Sequence, residues 1–183
     1  VYSVDDLADL KGRKFQKKRN HVNHFRAEHS QFELQNLTGG NFSAAQRMVG
    51  EWYRARMQAD PTGDYMMESI AMSRAFRHYE GLQMESAVLV ENGEILAVTM
   101  GSRLWSDTFD IHFEKAREDV DGAYAAVNCE FARYLRLKYP NLRYLNREDD
   151  VGLAGLRKAK LSYNPHHMVE KSWAYLAEDF HGD

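Results

Sequence analysis

Apolar positions recur along this chain in two rhythms, one helical and one strand-like, and their order predicts its class. From Val4 to about His29, Leu7, Leu10, Phe15, Val22 and Phe25 can share one side of a helix, with basic residues on the rest. Phe32 to Leu37 alternates as a strand does and ends at Thr38-Gly39-Gly40-Asn41. Ser43 followed by Gln46 has the form of a capping box, so a helix is expected to open there and turn Ala45, Met48, Trp52 and Tyr53 inward. A further helix is expected from Tyr65 to Tyr79, with Tyr65, Met72, Phe76 and Tyr79 on one side and its methionines as packing.

Ser86 to Val90 and Ile95 to Met100 then read as strands around Glu91-Asn92-Gly93-Glu94, and Asn-Gly is a strong hairpin signal. Thr108 to Lys115 is a third strand, and Gly122 precedes a helix with Val127, Phe131, Tyr134 and Leu135 as its stripe, ended by Pro140. Leu142 to Leu145 reads as a strand, Val151 to Leu161 as a helix, and Met168 to Leu176 as a closing strand or helix. Helices interleaved with strands predict a mixed α/β class with a central mixed sheet. The hairpin implies antiparallel pairing in one part of it, and each helical crossover implies a parallel pair.

Composition narrows this picture. A chain of 183 residues, 44% hydrophobic and 28% charged, can fold as one ordinary domain. No window approaches the roughly 18 consecutive apolar residues of a membrane-spanning helix. There is no basic-then-apolar leader, and the single Cys129 excludes an internal disulfide, so a cytoplasmic setting is expected. The first residue is Val1 rather than Met, which suggests a fragment or processed chain. The net charge of −3 says little, but Lys11, Arg13, Lys14, Lys17, Lys18 and Arg19 run together without an acid. Such a run is either a solvated helix face or a phosphate-contacting surface, in which Lys14, Lys17 and Lys18 would meet a polyanion such as RNA or anionic headgroups.

Candidate chemistry concentrates on the Thr108–Lys115 strand. Period-two alternation sends Thr108, Asp110, His112 and Glu114 to one face and Phe109, Ile111 and Phe113 to the other. If the strand is central, its polar face borders a cleft, where burial would raise a carboxylate toward the range of a general base. Glu114 is the first candidate for that role, with His112 and Asp110 beside it. The N-terminus of the following helix, at Gly122, Ala123 and Tyr124, offers free N–H groups to an anion, though a plain helix-entry turn gives the same pattern. Asn146 and Glu148 lie at a strand exit, where ligands often bind in α/β sheets. Arg157 and Lys160 can clamp one phosphate or carboxylate, or simply be solvated. His21 with His24, and His166 with His167, have no third ligand at useful spacing, so no metal is expected.

A resemblance adds to these readings. The segments Leu10 to His21, Phe113 to Ala116, Gly122 to Tyr124, Leu145 to Asp149 and Gly155 to Pro165 resemble the family named after the C-terminal domain of phosphatidylglycerol lysyltransferase. The element order resembles the GNAT acyltransferase arrangement throughout. The resemblance implies a GNAT-like fold over residues 31–183 with a basic linker helix over 1–30. It further implies the second of two GNAT-like halves, the first being absent from this chain. Acyl or aminoacyl transfer is the implied activity, with acyl-CoA or aminoacyl-tRNA as co-substrate and an amine, hydroxyl or lipid as acceptor. Lys160 and the turn at Tyr163 would then fall near the donor. A non-catalytic half that binds RNA or anionic lipid is the alternative. The loop Arg117-Glu118-Asp119-Val120-Asp121-Gly122-Ala123 departs from the usual CoA-binding pattern, offering one glycine and three acids that would repel a pyrophosphate.

Overall fold

The N-terminal stretch is expected as one helix, but its backbone turns sharply at Leu10 (φ 50°) and Gly12 (φ 85°), and the helix divides there. The structure, a computed structural model, describes residues 1–172, 174 and 175. Strand β1 (Tyr2–Ser3) leads into α1 (Val4–Asp9), and after a single 3-10 turn at Arg13–Phe15 comes α2 (Gln16–Glu28). Ser3 caps α1 by accepting a bond from the Asp6 amide, and Asp5 and Asp6 complement the positive end of the helix dipole.

Strand β2 (Glu33–Asn36), α3 (Phe42–Ala59), α4 (Met66–Arg77) and the short α5 (Tyr79–Leu82) follow. The expected capping box does not form. Helix α3 opens at Phe42 behind Asn41, whose Oδ1 accepts from the Thr38 amide, so Ser43 already lies within the first turn. The hairpin of β3 (Glu85–Glu91) and β4 (Glu94–Arg103) forms as expected, with Asn92 and Gly93 at φ 52° and 83°, the two positive angles of a type I′ turn. Strand β5 (Thr108–Ala116), α6 (Ala123–Lys138), β6 (Tyr144–Asn146) and α7 (Ala154–Leu161) complete the order. The closing element expected over 168–176 is absent from residues 168–172, 174 and 175, while 173 and 176 lie outside the described residues.

The strands form one mixed sheet in the order β1-β6-β5-β4-β3-β2. Among the described residues its one parallel pair is β5 with β6, joined through α6. The expectation that every helical crossover gives a parallel pair fails at β2 and β3, which are antiparallel although α3 to α5 connect them. Three helices can return the chain to either end of a neighbouring strand, so the single-helix crossover rule does not apply.

Helix α6 packs with α1 on one face of the sheet, around Phe109, Ile111, Phe131, Leu135 and Leu145. Helices α3 and α4 cover the other face, with Met48, Tyr53, Met72 and Phe76 against Val88, Val98 and Met100. Residues 1–30 belong to this body: Tyr2, Val4, Leu7, Phe15 and Phe25 are all buried.

Two features of β5 position the candidate site. Met100 pairs with Phe113 and Gly101 with Ile111, so His112 is an extra residue, a β-bulge. Gly101 permits the close approach, because a Cβ there would stand 2.2 Å from the Asp110 carbonyl oxygen. In addition, β5 pairs with β6 only over Thr108 to Asp110, and the strands part beyond that point.

Candidate functional site

The bulge resets the alternation of β5, so the four polar residues expected on one face are divided. Asp110 pairs with Ser102, and His112 joins them, its Nε2 2.8 Å from the Ser102 hydroxyl. Beyond the bulge, Phe113 packs with the α3 and α4 cluster, while Glu114 turns to α6 and accepts a bond from the Asn128 amide at 3.3 Å. Two polar groupings therefore flank the opening where β5 leaves β6.

The first is Asp110, His112 and Glu148. Nδ1 of His112 lies 3.6 Å from an Asp110 oxygen and 3.5 Å from a Glu148 oxygen. The side chains are 13%, 26% and 44% exposed respectively, so the group forms a half-open notch rather than an enclosed cavity. A concavity of about 580 Å³ between Phe32, Glu33 and Val90, and another of about 210 Å³ between Arg47, Glu51 and Arg117, lie elsewhere. Burial, then the adjacent Glu148 charge, pushes the Asp110 carboxyl above the usual range. The Glu148 carboxylate draws His112 upward against the opposing effect of burial, and His112 in turn holds Glu148 below its ordinary value.

The second grouping is built on Arg147, which the sequence reading passed over as a site residue. Its Nη2 donates to Glu114 at 2.7 Å, both side chains being almost fully buried. Nη1 has no partner among the described residues. The guanidinium also lies over the rings of Tyr163 at 4.9 Å and Tyr2 at 5.7 Å. Lys18 approaches the Tyr163 ring at 4.1 Å. Burial pushes the Tyr163 hydroxyl up to about 12. Lys160 donates to the carbonyls of Arg147 and Asp149 and so fixes the loop after β6. Burial and the Arg147 charge lower both Lys18 and Lys160 below the ordinary lysine value. The opening thus has an acidic wall at Glu148 and a cationic cluster at Tyr163.

The remaining candidates are spread around this centre. Asn146 ends β6 opposite Asp110. Arg157 pairs with Asp150 at 2.6 Å, while Lys160 is bonded to the Arg147 and Asp149 carbonyls, so each has its own partners. Of the basic run, Lys11 pairs with Asp9, Lys14 with Asp6, and Arg19 donates to the carbonyls of Leu10 and Gly12. Lys17 and Lys18 have no carboxylate partner among the described residues.

At the α6 N-terminus, Gly122 (φ 78°) is pressed against α2, where a Cβ would stand 2.6 Å from the His21 carbonyl and 3.0 Å from Phe25. Its glycine is accounted for by that contact. Ala123 is buried, and burial pushes the Tyr124 hydroxyl up to about 12. The loop acids before Gly122 are engaged: Asp119 with Arg117 at 2.7 Å, Glu118 with Arg56 at 2.5 Å, and Asp121 with His24 at 3.6 Å. Lys115 was also missed. It is 7% exposed, donates to both oxygens of Glu68 at 2.8 and 2.9 Å, and packs over Trp52 at 4.1 Å. Burial lowers its pKa, with Glu68 opposing.

A central mixed sheet that opens between its two parallel strands, with helices on both faces, is the GNAT acyltransferase fold. A structure described as a possible acetyltransferase from Clostridium difficile shares it, with TM-score 0.58 at 10% identity over 80% of this chain and 97% of that one. More narrowly, the chain belongs to the family described as phosphatidylglycerol lysyltransferase, C-terminal, whose model matches residues 1–175.

Within reach of that family, a conserved protein of unknown function from Bacteroides thetaiotaomicron is similar at 39% identity and TM-score 0.83, covering 91% of this chain and 55% of that one. The L-PGS structure from Bacillus licheniformis is similar in fold, at TM-score 0.59 and 16% identity over 90% of this chain and 55% of that one. An uncharacterised protein of Mycoplasmoides gallisepticum is 23% identical over 93% of this chain and 54% of its own length. The chain spans about half the length of these relatives. No helix among the described residues is long and apolar enough to cross a membrane.

Proposed function

We propose that this chain is an acyl-transfer domain whose donor is an aminoacyl ester on RNA rather than acyl-CoA. The observation that carries the choice is the contrast between two anion sites. The α6 N-terminus, where a GNAT-type fold can hold a pyrophosphate, is preceded by Glu118, Asp119 and Asp121 and is covered by α2 at Gly122. Lys18 and Arg147 instead converge on Tyr163 beside the β5–β6 opening, while Lys160 holds the Arg147 and Asp149 carbonyls behind them. The acids of the first site are matched by Arg56 and Arg117 and leave no excess positive charge there, whereas Lys18 at the second has no carboxylate partner among the described residues, so a phosphate is favoured at the second.

In this reading the ester carbonyl lies against the unpaired edge of β5, where backbone N–H groups polarise it. The acceptor nitrogen or oxygen bonds to the carbonyl carbon, and the bond to the ribose oxygen breaks. The proton lost by the acceptor passes through water in the half-open notch beside Asp110, His112 and Glu148 and ends on the departing ribose oxygen. Glu114 is not assigned the base, since Arg147 and Asn128 already occupy its carboxylate. The acceptor is an amine, a hydroxyl or a lipid headgroup carrying one.

A binding panel tests the proposal. Aminoacyl-tRNA is expected to raise the unfolding midpoint, with affinity falling steeply as salt rises. Lys18→Glu should weaken that binding by about tenfold or more and flatten the salt dependence, with a cooperative unfolding transition retained. Tight acetyl-CoA binding that ignores Lys18→Glu would overturn it.

A further inference from the structure

Asp110, His112 and Glu148 are brought together from β5 and the loop after β6, and the spacing of their atoms is unusual for a hydrogen-bonded group. One donor-type atom from each lies within 4.8 Å of the other two. The separations from His112 Nδ1, 3.6 Å to Asp110 and 3.5 Å to Glu148, exceed the roughly 2.7–3.2 Å of a sound N–H···O bond. They match instead the edge of a coordination tetrahedron. With metal–ligand bonds of about 2.0–2.2 Å, neighbouring ligand atoms stand roughly 3.3–3.6 Å apart.

The surroundings agree with that geometry. The Ser102 hydroxyl, 2.8 Å from Nε2, can accept a hydrogen bond from Nε2–H and leave the Nδ1 lone pair facing the two carboxylates. Outer partners set the tautomer of metal-bound histidines in this way. Asp110 Oδ1 is buried and has no hydrogen-bond partner among the described residues. The nearby cation Lys171 is held 2.7 Å from Asp149. Two carboxylates therefore face one imidazole, with Lys171 acting on them only from its place beside Asp149, and the half-exposed Glu148 side leaves room for a further ligand.

We infer that Asp110, His112 and Glu148 form a three-ligand site for a divalent transition cation, zinc above all, with its fourth position open to solvent or substrate. One nitrogen and two carboxylate oxygens with an open position is a donor set that zinc accepts. The histidine pairs singled out by spacing play no part. The trio draws its third member from a different element, and the inference holds whether or not the transfer reading does.

Calorimetric titration of chelator-treated full chain with Zn²⁺ tests it directly, without reference to activity. One equivalent is expected to bind, and Asp110→Asn, His112→Ala and Glu148→Gln should each weaken binding by more than about 100-fold. Ser102→Ala, which touches only the outer partner, should weaken it about 10- to 100-fold. Co²⁺ in place of Zn²⁺ should give the visible absorption of a four-coordinate ion, lost in His112→Ala. Glu148→Gln, at a half-exposed position outside the sheet, serves as the informative variant if substitutions within β5 impair folding. Folded wild-type chain that binds no Zn²⁺ overturns the inference. So does binding that survives all three ligand variants, for it places the ion elsewhere.

Discussion

Gly101 shows how one residue arranges the candidate site. Its missing side chain lets β5 come close enough for His112 to be squeezed out of register, which puts Asp110 and His112 on one face and Glu114 on the other. A methyl group there meets a backbone oxygen and the Phe109 ring, neither of which can swing aside. Gly101→Ala is therefore expected to destabilise the protein by about 1–3 kcal/mol, the usual range for forcing a methylene into a packed interior. Urea unfolding measures it, and a stability equal to wild type would mean that β5 is not bulged here. The sequence could not announce this. Thr108 to Lys115 alternates without interruption, so nothing within the strand marks the extra residue, and the marker stands on the partner strand as an unremarkable glycine. The same lack of local signal hid Arg147, because an arginine after a strand reads as solvated until Glu114, Tyr2 and Tyr163 are seen around it.

Elements were more legible than sites, because hydrophobic period is a local property and contact is not. Strands β3 to β5 and helix α6 fall close to where the pattern puts them, and Asn92-Gly93 forms the turn its chemistry requires. The N-terminus was legible as apolar and helical but not as three pieces, since the break depends on Leu10 adopting the left-handed region to send α2 across α6. Helix α1 is then fastened to α6 by Arg136, which bridges Asp5 and Asp9 at 2.9 Å each. The bonds from Arg136 and Lys11 hold the Asp9 carboxyl at about 2, against an ordinary value of 3.8. A carboxyl whose folded value is depressed stabilises the fold above its unfolded value and loses that contribution as pH falls toward the folded one. Asp9→Asn should therefore cost about 1 kcal/mol or less at pH 6, as for a partly exposed pair, and progressively less between pH 4 and about 2. Urea midpoints of the two proteins across that range check the sign. A gap that widens on acidification would exclude the Asp9–Arg136 tie as its source.

At the scale of the whole molecule, α6 decides what the folding unit is. Ala125, Val127, Cys129, Phe131 and Leu135 are buried on different sides of it, and a helix apolar around most of its circumference must be enclosed rather than laid on a surface. The sheet encloses one side, and α1 and α2 enclose the other, through Leu7, Leu10, Phe15, Val22 and Phe25. Strand β1 adds a hydrogen-bonded edge to β6, next to the opening that carries Arg147. A segment that reads in sequence as a basic linker thus supplies one wall of the interior, with its charges spread over the outer surface. A fragment of residues 31–175 would strip that wall from Ala125, Cys129 and Phe131. The removed side chains Leu7, Phe15, Val22 and Phe25 are each worth about 1.5–3 kcal/mol when buried, and a domain has only about 5–15 kcal/mol of net stability to lose. The fragment is expected to bind a hydrophobic dye, to lose its near-ultraviolet dichroism and to unfold without a sharp transition. The full chain should unfold cooperatively under the same conditions. If the fragment instead unfolds cooperatively at the full chain's midpoint, α6 is stable without its N-terminal cover, and residues 1–30 are a separable appendage.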